Sequence, residues 1–285
     1  MSGILQNRAS RSRTVTSRPA GERPALALPP RPSRRGQTVA TAVVGLVLLA
    51  SAATLDVDWS DLRELPAAVA EYGTLMFADP DWSRLPRALF EMWRSISMAW
   101  LGAMLCVVVS ILLGMLAADG VGPAWLRLAL RGLFAVIRAV PEVIIALVLL
   151  TVTGLTPFTG ALALGIAGIG TQGKWTYETV ETLRDGAADA VRAAGGGRTA
   201  VVRWALWPAA LPALLSFALY RFEINIRMSA VLGIVGAGGI GSMLANYTNY
   251  REWDTVGMLL IVVVVTTMAV DAVSGAVRRR IMEGA

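Results

Sequence analysis

The chain has 285 residues, 55% hydrophobic and only 16% charged, with a net charge of +6 and a mean hydropathy of +0.58. An ordinary globular domain carries about 25% charged residues, so the solvent for most of this chain is a bilayer rather than water. There is no histidine and a single cysteine, Cys106. That composition excludes imidazole bases, Ser-His-Asp triads, His-ligated metals and an internal disulfide, and it leaves Cys106 as a small lipid- or core-facing residue.

In chain order, residues 1–36 hold eight arginines, one glutamate and several prolines, and read as a disordered basic tail. The run from Gly36 to Leu55 has no charge and is long enough to cross about 30 Å of hydrocarbon as a helix. Ala50-Ser51-Ala52 resembles a signal-peptidase site, but the long arginine-rich tail and long apolar run favour an uncleaved anchor. Residues 56–89 carry seven acids and three arginines and are expected to form a partly helical external loop. Further spans are expected at Ser95–Ala118, Arg131–Gly154 and Pro157–Lys174, the last continuing as a polar helix to Leu183, and again at Val201–Tyr220 and Thr255–Val277. The uncharged stretch Met228–Tyr250 holds five glycines and is expected to be broken and partly re-entrant. Irregular backbone survives at membrane depth only where protein or a watery cavity satisfies it.

Charge sets the orientation. Arginines precede the first span and follow the last at Arg278–Arg280, so the positive-inside rule places both termini in the cytoplasm and calls for an even number of spans. The expectation is an all-α integral membrane protein with six transmembrane helices. It divides into the tail 1–36, an anchor with its external acidic loop at 37–89, and a transmembrane core at 90–280 with a cytoplasmic segment at 184–203.

Two glycine runs look like nucleotide sites. Gly168, Gly170 and Gly173 spell G-x-G-x-x-G, and Gly168, Gly173 and Lys174 spell most of a P-loop; Gly236, Gly238 and Gly241 repeat the first pattern. A P-loop follows a strand and ends in Ser or Thr, where this chain has Trp175. Both runs lie in membrane-helix patterns, so nucleotide binding is not expected from either. Gly165, Ala167, Gly168 and Gly170 are better read as a close-packing face. Gly173 is expected to loosen the helix near its end, and Lys174 to snorkel. Gly236, Gly238 and Gly239, with Gly233 and Gly241, are either a flexible gate or bare-backbone lining, or a tightly packed loop.

Charged residues inside spans are functional candidates by default. Arg138, Arg221 and Arg227 have the fork geometry that suits tetrahedral oxyanions. Yet Glu142 follows Arg138 by one helical turn, and Glu223 lies close to Arg221 and Arg227, with Asn225 between them. Internal ion pairing that fixes helix packing is the competing reading. Asp271 is expected to pair with an arginine.

The segment Asp189–Pro212 carries a resemblance. Asp189-Ala190-Val191, Gly195 and Pro208 reproduce the docking signature of ABC-importer permeases (Glu-Ala-Ala, three residues, Gly, then Pro 13 residues on), with Asp in place of Glu and Gly196 where Ala is common. The run "YRFEINIRMSAVLGIVGAGGIG" from Tyr220 to Gly241, and Val270-Asp271 with Ser274 and the arginines after it, resemble the phosphonate-importer permeases more closely. The resemblance covers about 125–280. It implies a type I ABC-importer permease (MetI-like) core without catalytic residues, in a bacterial plasma (inner) membrane and surrounded by lipid. It also implies a second permease copy (identical or a paralogue), two cytoplasmic ABC ATPase subunits and an extracytoplasmic phosphonate-binding protein, with no nucleic-acid partner. ATP and Mg²⁺ would sit on the ATPase, and this chain would need no cofactor or metal. The substrate implied is a phosphonate or a related oxyanion such as phosphite. Docking would fall to Asp189, Ala190, Val191, Gly195, Gly196 and Pro208. Two other classes remain open: an ion-driven secondary transporter, which would usually show inverted repeats, and an integral-membrane enzyme, which would need clustered catalytic groups.

Overall fold

A computed structural model describes residues 34–54, 59–183 and 186–283, and every regular element among them is helical. The expected basic tail lies almost wholly outside the described residues, as do 55–58, positions 184 and 185 of the expected cytoplasmic segment, and 284–285. Residues 1–63 and 64–285 form separate compact units. The first contains helix α1 (Arg34–Thr54), which coincides with the expected anchor.

The expected external loop is mostly helix α2 (Trp59–Phe77), which accommodates Pro66. Its Tyr72 ring meets Trp253 edge-on at 5.1 Å. One tight turn, Trp82–Arg84, is capped by Asp81, whose carboxylate accepts from the Ser83 amide at 3.0 Å. Helix α3 (Leu85–Ala117) follows; its 33 residues span about 50 Å, more than the hydrocarbon layer needs.

Along α3 runs a buried stripe of mostly small residues: Ser95, Ala99, Gly102, Ala103, Cys106, Ser110 and Gly114. Helix α6 (Pro157–Thr182) lies against it. Added methyl groups at Gly102 and Gly114 would stand 2.9 Å from the Ala161 carbonyl oxygen and 2.6 Å from Thr176 Cβ. Backbone proximity of this kind is how helices associate where no hydrophobic driving force acts between them. Thr156 caps α6 by accepting from the Thr159 amide at 3.2 Å.

The glycines of the first nucleotide-like run sit inside this unbroken helix, where backbone amides are engaged four residues back and cannot cradle a phosphate. Each makes room for a neighbour. A methyl at Gly165 would meet Leu105 at 2.7 Å, one at Gly168 would meet Arg221 Nε at 2.6 Å, and one at Gly170 would meet the Phe134 carbonyl oxygen at 2.7 Å. Gly173 does not loosen the helix: it is buried, and its missing side chain is the notch that receives the Phe134 ring, 2.5 Å from where a Cβ would lie.

The span expected at Arg131–Gly154 is not continuous. Helix α4 (Ala124–Ala139) and helix α5 (Glu142–Thr153) meet at 89° across Val140 and Pro141. Proline has no amide donor and bars the helical conformation in the residue before it. Beyond α6, helix α7 (Ala187–Ala193) and helix α8 (Arg198–Val201) flank a glycine turn. A π-helical turn, Val202–Leu206, leads into helix α9 (Trp207–Leu232). The wider turn lies where Pro208 lacks a donor and its ring presses on the preceding turn. Helix α9 runs 12 residues beyond the expected end at Tyr220.

The stretch expected to be broken is broken. A second π turn, Gly233–Ala237, ends in Gly236, Gly238 and Gly239, with φ of 108°, 84° and 71°. Only glycine adopts these values freely. Helix α10 (Ile240–Tyr250) starts there, its first amide donating to Ser95 Oγ at 2.9 Å, and helix α11 (Trp253–Glu283) completes the chain.

By length and apolarity, four helical stretches are able to cross a membrane, and the bent α4–α5 pair makes a fifth. Helix α6 falls outside this set because Gly, Thr, Gln172 and Lys174 dilute its apolar run, yet it packs against α3, α4, α5 and α9.

Candidate functional site

The polar positions of α9 alternate: Arg221, Glu223, Asn225 and Arg227. Two residues turn a helix by about 200°, so Arg221 and Asn225 share one face and Glu223 and Arg227 share another. Arg221, 4% exposed, donates from Nη2 to Glu142 Oε1 at 2.8 Å and to the Leu164 carbonyl at 3.3 Å. The Gly168 notch gives its guanidinium room. Asn225 is fully buried and donates to the Ala99 carbonyl at 3.2 Å. On the other face, Glu223 accepts from Arg278 at 3.1 Å and Arg227 pairs with Asp271 at 3.2 Å, tying α9 to α11.

Ion pairs therefore link the helices, but not between the partners adjacent in sequence. Glu142 pairs with Arg221 rather than Arg138, because the bend at Pro141 swings α5 away from the end of α4. Glu223 pairs with Arg278 rather than with Arg221 or Arg227. Asp271 does pair with an arginine. Arg138 is exposed, and its side chain makes no hydrogen bond or ion pair among the described residues. Several buried polar atoms along the seam of α3, α5, α6 and α9 lack a partner among the described residues: Glu142 Oε2, Arg221 Nε, Asn225 Oδ1 and both ends of Gln172. Sequence reading passed over Gln172, whose signal was an amide one turn from Gly168 on a small-residue face.

Gly236, Gly238 and Gly239 close the seam at the α9–α10 break. Methyls at Gly236 and Gly238 would approach Leu155 at 2.7 Å and Pro157 at 3.2 Å, so the bare backbone lies close against the α5–α6 corner.

At the opposite end of the bundle, α7 finishes in a turn with two diagnostic bonds. The Gly196 amide donates to the Val191 carbonyl and the Gly195 amide to the Arg192 carbonyl, both at 2.9 Å. With φ of 85° at Gly195, this is the Schellman termination, which wants glycine at that position. Gly196 has no room for a side chain either, since a methyl would lie 2.6 Å from Val191 Cγ1. Ala188 is the buried anchor of α7, in a cluster with Met115, Ala118, Val180, Val201 and Leu206. Asp189 and Ala190 are exposed, Val191 is half-buried, and Asp189 pairs with Arg192 at 2.6 Å. Pro208 is exposed beside the π turn.

A brace beside α7 went unread in the sequence. Arg131 donates to the Ala117 carbonyl at 3.0 and 3.1 Å, pairs with Glu181 and lies 4.4 Å over the Tyr177 ring. Glu181 also accepts from the Asp119 amide at 2.8 Å. The α3–α4 connection is thereby fixed to the end of α6 that leads into α7.

Residues 110–283 match the family described as "Binding-protein-dependent transport system inner membrane component", and the chain belongs to that family. It is a membrane-embedded permease component, not an enzyme. Among curated relatives, a phosphate-import permease of Mycolicibacterium smegmatis is 39% identical over 62% of this chain, which spans 33% of that protein's length. A phosphite transport permease of Stutzerimonas stutzeri is 32% identical over 83% of this chain and 86% of its own. Among solved structures, the inward-facing MetNI methionine ABC transporter superposes with a TM-score of 0.62 at 19% identity, covering 70% of this chain and 99% of that chain. This likeness fixes the fold as that of ABC-importer permeases.

Proposed function

We propose that the chain is the permease subunit of an ATP-driven importer for a phosphonate or a related phosphorus oxyanion. The 32% identity to a phosphite permease along most of both chains carries this reading, and the arginines at the middle of the bundle fit an anionic substrate. The subunit works with a second permease copy, two cytoplasmic ATPase subunits that hold ATP and Mg²⁺, and an extracytoplasmic binding protein. It spans a bacterial inner membrane six times, counting α1, α3, the α4–α5 pair, α6, α9 and α11, with both termini and α7 in the cytoplasm. Asp189, Ala190, Val191, Gly195, Gly196 and Pro208 form the face that docks on the ATPase. Closure of the ATPase on ATP moves α7. Through Ala188 and the Arg131–Glu181 brace, that displacement reaches α3, α4 and α6 as a rigid unit and switches the side to which the pathway opens. The candidate pathway comprises Arg138, Glu142, Arg221, Glu223, Asn225, Arg227, Gly236, Gly238 and Gly239.

Affinity purification of the tagged chain from its native membrane tests the assignment. A P-loop ATPase is expected in stoichiometric amount. Substrate transport by the chain alone, driven by an ion gradient, would instead support a secondary transporter.

A further inference from the structure

Gln172 is fully buried on α6, and neither end of its amide has a partner among the described residues. Its neighbours along the helix fix the side on which it stands. One turn before it, Gly168 makes room for Arg221, whose Nε lies 2.6 Å from where a Cβ would be. One turn after it, Trp175 meets the rings of Phe217 and Tyr220 at 5.3 and 5.9 Å. Phe217, Tyr220 and Arg221 all belong to α9, so Gln172 lies on the seam between α6 and α9. The seam shares its defect. Arg221 Nε and Asn225 Oδ1, one turn apart on α9, lack partners among the described residues, as does Glu142 Oε2 beside Arg221. A buried polar group without a partner destabilises the state that buries it, so the shut seam favours opening to water or to a polar ligand. Helix α9 is also bounded by irregular backbone at both ends. The π turn Val202–Leu206 precedes it, and the π turn Gly233–Ala237 with its positive-φ glycine follows. Such turns absorb a change of helix direction without unfolding the helix.

We propose that α9 parts from α6 during transport and that the opened seam is the oxyanion-binding chamber, with Arg221 and Gln172 as its donors. The inference rests on the oxyanion-importer reading above, and every group it uses comes from a single copy of the chain. In the shut seam, Glu142 holds the Arg221 guanidinium at 2.8 Å and keeps the buried cation compensated. A tetrahedral oxyanion entering the open seam takes over from that carboxylate. It accepts from the arginine fork, including the Nε that is left over when the seam is shut. Gln172 supplies both kinds of contact that such an ion needs. Its Nε2 donates to an unprotonated oxygen, and its Oε1 accepts from the hydroxyl of a singly protonated oxyanion. The amide thus adds a donor and an acceptor without adding charge.

The test uses the whole importer, permease with ATPase and binding protein, in liposomes, with phosphite, methylphosphonate and inorganic phosphate as probes. Gln172→Leu removes both unpaired ends at nearly the same volume. It should leave the melting temperature of the complex unchanged or raised, yet lower uptake of the transported probe by about tenfold or more. Undiminished uptake by this variant overturns the donor role of Gln172. A Gln172→Cys variant in a Cys106→Ser background should react with a water-soluble thiosulfonate during ATP-driven turnover, more slowly without ATP, and be protected by the transported probe. Ala163→Cys, equally buried on α6 but clustered with Ala146 of α5, should stay inert. Position 172 inert during turnover overturns the parting of the seam, and this readout decides the matter if Gln172→Leu fails to assemble. If the wild-type importer moves none of the three probes, the oxyanion reading itself fails, whereas labelling at 172 reports the parting of the seam separately.

Discussion

The Glu142–Arg221 pair offers a double-mutant cycle with a calculable outcome. Arg221 is 4% exposed, and apart from Glu142 its only hydrogen-bond acceptor among the described residues is the Leu164 carbonyl. Removing the Glu142 charge with Glu142→Gln leaves a buried guanidinium uncompensated, which costs about 3–5 kcal/mol. Arg221→Met strands the carboxylate and should cost a similar amount. The double variant removes both desolvated charges, and replacing a buried pair by neutral groups is often close to neutral. The cycle should therefore show a coupling of about 6–10 kcal/mol, the sum of the two single losses. At roughly 2–4 °C per kcal/mol for a chain of this size, each single change should lower the melting temperature of the purified complex in detergent by about 10 °C. The double variant should recover most of that loss. Single changes that each cost under about 1 kcal/mol and simply add in the double variant would refute the account of a buried, mutually dependent pair.

Gly168→Val should lower folded yield and stability by about 1–3 kcal/mol through overpacking, since its Cβ would lie 2.6 Å from Arg221 Nε and 2.7 Å from Cys106 Sγ. Gly132→Ala, with nothing within 4 Å of the added carbon, is the matched control and should be neutral or slightly stabilising in thermal unfolding. Gly195→Asp forces a side chain onto a φ of 85°, at a cost of about 1 kcal/mol. The complex should still assemble but hydrolyse ATP without transport, and normal uptake would sink the docking role of α7. Single cysteines in a Cys106→Ser background should be labelled from outside at Glu71 and only from inside at Arg198; external labelling at Arg198 would invert the topology.

The apolar runs and proline positions made the helices legible, and the glycine-rich run at 233–241 announced a break that the positive φ values then explain. Gly195 was legible only as part of the docking signature, and its φ of 85° explains why glycine stands there. Partner choice was not legible. Sequence proximity paired Glu142 with Arg138, but a bend of 89° at Pro141 separates them and brings Glu142 to Arg221, 79 residues away. Gly173 misled for a related reason: its role depends on a Phe134 ring from α4, which no local pattern reveals. The Arg131–Glu181 brace and the buried Gln172 likewise depend on tertiary contacts, where charge or amide identity alone does not distinguish a solvated residue from a buried one.

The most direct measurement of the central claim is uptake by the chain reconstituted in liposomes with its ATPase and binding protein. Accumulation of phosphite or a phosphonate should require ATP, the ATPase and the binding protein together, and should stop when any one is left out. Accumulation that persists without the ATPase and follows a proton or sodium gradient would contradict the account.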